Sequence, residues 1–226
     1  MQTTPVENVH KSTKLLPDID WVAIPAGEFI YGDEKQQRLN LDSFHIARYP
    51  ITNAQYQTFI DDGGYEDERW WRGMLRQSPE ESRWNQPNRP RESISCYEAV
   101  AFCRWLSQQL GYKIRLPTEQ EWEKAARGTD GREYPWGDGY RAGHANVDEK
   151  EEKAGPNYLS QTTAMGLYRH RASPYGIMDM ASNVWEWCLN KNKYDDDLEE
   201  TAIDASGDAR VLRADRDALP VTRHGR

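Results

Sequence analysis

Arg115-Leu116-Pro117-Thr118-Glu119-Gln120-Glu121-Trp122-Glu123-Lys124-Ala125-Ala126-Arg127-Gly128 contains both ends of one short helix. Pro117 holds the residue before it extended, so the helix cannot begin earlier. Thr118 followed three positions later by Glu121 is a capping box, in which each side chain takes the other residue's free backbone N–H. Trp122, Ala125 and Ala126 supply the apolar contact, and Gly128 stands where the helix must stop. The same Ser/Thr-x-x-Glu/Gln signature occurs twice upstream. Thr52 with Gln55 predicts a helix to about Ile60, closed by Gly63-Gly64. Ser95 with Glu98 predicts a longer one, whose Ala99, Phe102, Cys103, Leu106 and Leu110 share one face, with Gly111 at its end.

Outward from these helices the regular pattern thins. Trp21-Val22-Ala23-Ile24-Pro25-Ala26-Gly27-Glu28-Phe29-Ile30-Tyr31 reads as two short strands broken at Pro25-Ala26-Gly27. Residues 41–46 read as one further strand anchored by Leu41, Phe44 and Ile46. Two long stretches, 66–91 and 134–171, are rich in Trp, Arg, Pro, Asn, Gly and Tyr without periodicity. Loops of that length in a compact domain are functional or pinned by something. No internal repeat is evident.

Composition narrows the class. The 226 residues suit one large domain, and a mean hydropathy of −0.95 with no apolar run near ~20 residues argues against a membrane protein. The start lacks the apolar core of a signal peptide, so a cytoplasmic location is expected. A net charge of −8 without a basic stripe makes nucleic acid a poor partner. The densest acidic run, Asp195-Asp196-Asp197 with Glu199-Glu200, reads as a solvated loop. Cys96, Cys103 and Cys188 have no metal-ligand spacing. Cys96 and Cys103 lie two helical turns apart, about 10 Å along the axis, too far for a disulfide, so all three read as reduced. The five histidines show no paired spacing. Nine tryptophans are many for this length. They read as core packing in a loop-rich fold, with a sugar-stacking platform as the alternative.

Several ordered motifs then resemble one family, that of formylglycine-generating enzymes and sulfatase-modifying factors. These are Ile24-Pro25-Ala26-Gly27-Glu28-Phe29, Tyr49-Pro50-Ile51-Thr52-Asn53-Ala54-Gln55-Tyr56, the 115–128 stretch, Tyr134-Pro135-Trp136-Gly137-Asp138, Ser173-Pro174-Tyr175-Gly176 and Asp179-Met180-Ala181-Ser182-Asn183-Val184-Trp185-Glu186-Trp187. The resemblance covers 21–213. It implies an α+β, C-type-lectin-like fold with little regular secondary structure, three capped helices and short antiparallel sheets. It also implies a domain at 19–213 between a flexible leader, 1–18, and a tail, 214–226, that does not follow the family.

The family pins its loops with calcium, a hard cation that takes six to eight oxygens. Carried over residue by residue, one position would use Asn146 and the carbonyl of Val147, closed by oxygens from 157–162. A second would use Asp179, the carbonyls of Ser182 and Val184, and the Glu186 carboxylate. Ser182 replaces the usual glycine, and that substitution asks for an unusual backbone angle.

The chain departs from the family in two places. Before the second helix it reads Pro90-Arg91-Glu92-Ser93-Ile94-Ser95-Cys96 where the family has an apolar run. After Arg210-Val211-Leu212-Arg213 the family continues Gly-Gly-Ser-Trp and later supplies two copper-binding, catalytic cysteines. Here Ala214-Asp215-Arg216 follows, with no cysteine after Cys188. Codons GGC-GGA-TCG losing one G would read GCG-GAT-CGN, that is Ala-Asp-Arg, so a frameshifted remnant is one expectation. The main expectation is a calcium-stabilised binding scaffold, not catalytic as it stands, for a peptide, protein or glycan. Trp70, Trp71, Trp84 and Tyr140 are its contact candidates. The alternative is an oxidoreductase that converts a peptidyl cysteine to formylglycine using oxygen and copper. A related branch that makes sulfoxides with non-haem iron needs a His-rich helical domain that this sequence does not contain.

Overall fold

A computed structural model describes residues 15–33, 36–150, 153–189, 210–211 and 213. The three capping boxes form as the sequence dictates. Helices α1 (Asn53–Asp61), α2 (Cys96–Leu110) and α3 (Glu119–Arg127) open on Thr52, Ser95 and Thr118, each with both reciprocal hydrogen bonds made. Gly111 ends α2 in the left-handed region at φ 74°, which costs a residue without Cβ nothing.

The strands are β1 (Trp21–Ile24), β2 (Gly27–Tyr31), β3 (Gln37–Leu41), β4 (Phe44–Ala47), β5 (Ile114–Arg115) and β6 (Arg210–Val211). The single strand expected over 41–46 is instead the end of β3 and most of β4, broken at Asp42-Ser43. The break lets the two halves join different sheets. β3 pairs antiparallel with β2, whereas β4 pairs antiparallel with β1. The second sheet runs β1-β4-β6-β5, and both pairings of β6 are parallel, so it is not wholly antiparallel.

Two apolar clusters form the core. In the first, Tyr56 and Phe59 of α1 meet Phe102 and Trp105 of α2, with ring centroids 5.2–5.8 Å apart. Each such ring removes roughly 150–250 Å² from water, about 4–6 kcal/mol at ~25 cal/mol per Å². In the second, Val22, Ile24, Phe44 and Ile46 of the sheet pack on Ala125 and Ala126 of α3 and on Ile177 and Met180. The spacing predicts one apolar face for α2, yet the helix is buried nearly all round. The 66–91 loop covers its outer side: Trp70 and Trp71 enter the first cluster, and Arg104 donates to the carbonyls of Trp70 and Arg72. Trp70 and Trp71 are therefore core residues, not contact residues.

Packing also begins earlier than residue 19. Leu16 lies against the first cluster, Pro17 is buried, and Gln55 donates to the Asp18 carbonyl. The rest of the leader, the acidic run at 195–200 and the tail from 214 lie outside the described residues. No helix among the described residues is long and apolar enough to cross a membrane.

Candidate functional site

Among its described residues the long segment 134–171 contains no strand or α-helix. Its order comes from side chains that collect backbone groups. Glu149 is fully buried and accepts from the Tyr140 hydroxyl (2.6 Å), the Gly143 N–H (2.5 Å) and the Asn157 N–H (3.0 Å). Burial raises its pKa, but these three donors outweigh that and hold the carboxyl below the ordinary glutamate range. The sequence reading missed Glu149. Its only signal was an acidic residue inside a Gly-, Asn- and Tyr-rich loop, with no apolar pattern to mark it as buried.

A second hub joins this segment to 179–187. Asn183, at φ 75°, donates its N–H to the Asn146 carbonyl. Its side-chain oxygen accepts from the Thr163 N–H (2.7 Å) and from Asn146 Nδ2, and its Nδ2 donates to the Thr163 carbonyl. Asp179, at φ 58°, accepts from the Gly166 N–H through Oδ2 (2.7 Å). The left-handed conformations fall on Asp179 and Asn183, residues whose short polar side chains tolerate them. Ser182 does not adopt a positive φ, contrary to the sequence expectation.

Asn146, Val147, Asp179 and Ser182 are all buried, and Val184 is half-buried. Asn146 Nδ2 donates to the Gln161 carbonyl, so Asn146 does adjoin the 157–162 loop. That loop carries no carboxylate, and the Val147 carbonyl already accepts from the Glu149 N–H. At the second position the Ser182 carbonyl accepts from Val184 N–H. Both Glu186 oxygens are engaged. Oε1 accepts from Arg213 Nη2 (2.5 Å), and Oε2 accepts from Arg213 Nε (2.8 Å) and Trp122 Nε1 (2.9 Å).

Buried side-chain oxygens without a hydrogen-bond partner include Asp179 Oδ1 at the second implied position and Thr162 Oγ1 in the 157–162 loop, with Thr163 Oγ1 and Asn53 Oδ1 besides. Burial raises the Asp179 pKa against the lowering influence of Gly166 N–H and Arg213. Among the described residues no group of three or more His, Cys, Asp and Glu side chains could hold a metal. Of the implied calcium ligands only Asp179 offers an uncommitted carboxylate oxygen, and at the second position the Glu186 carboxylate is taken by Arg213 and Trp122. The described cysteines do not fit a two-thiolate copper site. Cys96 and Cys103 are sealed in the core two turns apart on α2, and burial pushes the Cys103 thiol up, away from the thiolate that soft Cu(I) needs.

On the outer side of the 134–149 loop, half-buried rings gather. Tyr134 stacks on Trp136 with centroids 5.1 Å apart and planes 5° off parallel. Tyr140 tilts against both, and the His144 ring meets Trp136 nearly at right angles, 5.8 Å away. His144 Nε2 lies 2.6 Å from Arg171 Nη2. Arg171 can only donate, so His144 accepts there as a neutral imidazole. Burial and the charges of Arg171 and Arg141 lower its pKa accordingly. No carboxylate pairs with Arg141, Arg169 or Arg171 among the described residues.

A fold of capped helices, two small sheets and side-chain-pinned loops defines the class. The family model of the sulfatase-modifying factor enzyme 1-like domain matches residues 6–218, and the chain belongs to that family. Hercynine oxygenase of Mycolicibacterium smegmatis is 30% identical over 203 residues, which cover 74% of this chain and 44% of that protein. The chain thus spans less than half the length of that relative. Formylglycine-generating enzyme of Streptomyces coelicolor is 29% identical, covering 85% of this chain and 76% of that protein. Among solved structures, Treponema denticola variable protein 1 superposes with a TM-score of 0.55 at 21% identity, over 84% of this chain and 77% of that one.

Proposed function

We propose that this domain is a binding module of its family, and that its contact surface is the ring cluster Tyr134, Trp136, Tyr140 and His144 with Arg141 and Arg171 beside it. The observation that carries this reading is the pairing of half-exposed rings with arginines that no carboxylate among the described residues neutralises, on a chain whose net charge is −8. Aromatic and arginine side chains supply large contact area at low entropy cost and dominate binding surfaces. The surface suits a peptide or protein segment that carries carboxylates. Trp84 is half-buried against the Arg83 guanidinium and lies outside the ring cluster; Tyr140 is the one sequence-expected contact residue that belongs to it.

A peptide array with acidic and neutral sequences, probed beside a glycan array, tests this. Wild type is expected to retain acidic peptides, and Trp136→Ala or Arg141→Ala to lose at least tenfold in affinity. Retention of glycans alone, or affinities unchanged in both variants, would overturn it.

The second reading is the oxidation of a peptidyl cysteine to formylglycine, which the formylglycine-generating relatives favour. It requires thiolates other than the sealed Cys96 and Cys103. Mass spectrometry of a Cys-x-Pro-x-Arg peptide incubated with the protein, oxygen and copper decides it, an aldehyde product above a protein-free control being the supporting result.

A further inference from the structure

We infer that the Arg213 guanidinium takes the place of a divalent cation at Glu186, so that the position implied for calcium there is charge-compensated by the chain itself. The two side chains are among the most deeply buried ion-pair partners in the fold, at 0% and 3% exposed. The pair is a fork-to-fork contact, with Nε on one carboxylate oxygen and Nη2 on the other at 2.8 and 2.5 Å. Trp122 Nε1 of α3 adds a third donor, so that both carboxylate oxygens are engaged by the chain itself. The remaining guanidinium nitrogen is also committed, since Nη1 donates to the carbonyls of Met178 (2.5 Å) and Arg48 (3.1 Å). The Arg213 carbonyl in turn accepts from the Ile51 N–H at 2.8 Å.

One residue thereby joins the end of β4, the start of α1 and the 178–186 segment, the work a structural cation does with six to eight oxygens. It does so with directional donors instead, which a planar guanidinium supplies and a sphere does not. A divalent ion bound to Glu186 would also sit beside a guanidinium that cannot lose its proton, and would have to displace it first.

The test uses the full chain with glutamate carboxyls labelled with carbon-13, the Glu186 signal being assigned by its loss in Glu186→Gln. Calcium chloride in millimolar excess is expected to leave the wild-type Glu186 resonance where it was. Displacement of that resonance by calcium in wild type would overturn the inference. A second measurement is the melting temperature with calcium and with chelator. Arg213→Gln is expected to gain a calcium-dependent rise of several degrees that wild type lacks and that the double variant Arg213→Gln/Glu186→Gln loses. An equal rise in wild type and Arg213→Gln would count against the inference. Should Arg213→Gln fail to fold, the wild-type resonance still decides.

Discussion

Replacing Glu149 by Ala removes the acceptor on which the 140–157 loop converges. Three hydrogen bonds to a carboxylate are lost, those from Tyr140 Oη, Gly143 N–H and Asn157 N–H. Bonds to a charged group contribute about 1.5–3 kcal/mol each. Gly143 and Asn157 are exposed residues and Tyr140 is half-buried, so water recovers part of the loss. About 3 kcal/mol of net destabilisation remains by this reckoning, a fall in melting temperature of roughly 6–12 °C for a domain this size. Glu149→Gln keeps the shape but turns one acceptor into a donor that faces a donor, and about half that loss is expected. The assay is thermal unfolding followed by near-ultraviolet circular dichroism, with Glu81→Ala as the exposed control, expected within ~0.5 kcal/mol of wild type. A Glu149→Ala midpoint within about 2 °C of the control would refute the claim that this carboxylate holds the loop.

Gly64→Ala would place its Cβ 2.1 Å from the fully buried Phe59 ring, and a loss of about 3 kcal/mol is expected in urea unfolding, the upper end for overpacking. Native-state alkylation should label Cys188, which is half-buried, well before Cys96 and Cys103, and intact mass after iodoacetamide should show one adduct in buffer and three in denaturant. Asp130 is held down to about 2 by its hydrogen bonds from Arg132, and a carbon-detected NMR titration should find that value, with Arg132→Ala restoring the ordinary ~3.9. Since the folded-state pKa is the lower one, the small stabilisation from this exposed pair is present above pH ~4 and lost as pH falls toward 2.

The sequence made the helices legible because a capping box is a local device. Thr52, Ser95 and Thr118 need only the residue three positions on, and all three boxes formed. The break at Asp42-Ser43 was not legible, because Leu41, Phe44 and Ile46 alternate as one strand would and only the two-sheet topology separates them. The all-round burial of α2 was hidden for a similar reason: the cover comes from Trp70 and Trp71 in a loop without periodicity. In the loops, the 179–187 motif marked the right region, since Asp179 and Asn183 do organise it. It could not reveal that Glu186 turns to Arg213, which is 27 positions away and follows a strand that inserts in parallel between β4 and β5.

Buried side chains, not regular secondary structure, hold the 134–187 region in place, and by the inference above they do so without a cation at Glu186. Amide hydrogen exchange of the full chain in chelator measures this directly. The amides of Gly143 and Asn157 on Glu149, Thr163 on Asn183, and Gly166 on Asp179 are expected to exchange far more slowly than unstructured backbone, and addition of calcium to leave their rates unchanged. Free exchange at these four amides in chelator, with protection restored by calcium, would contradict it.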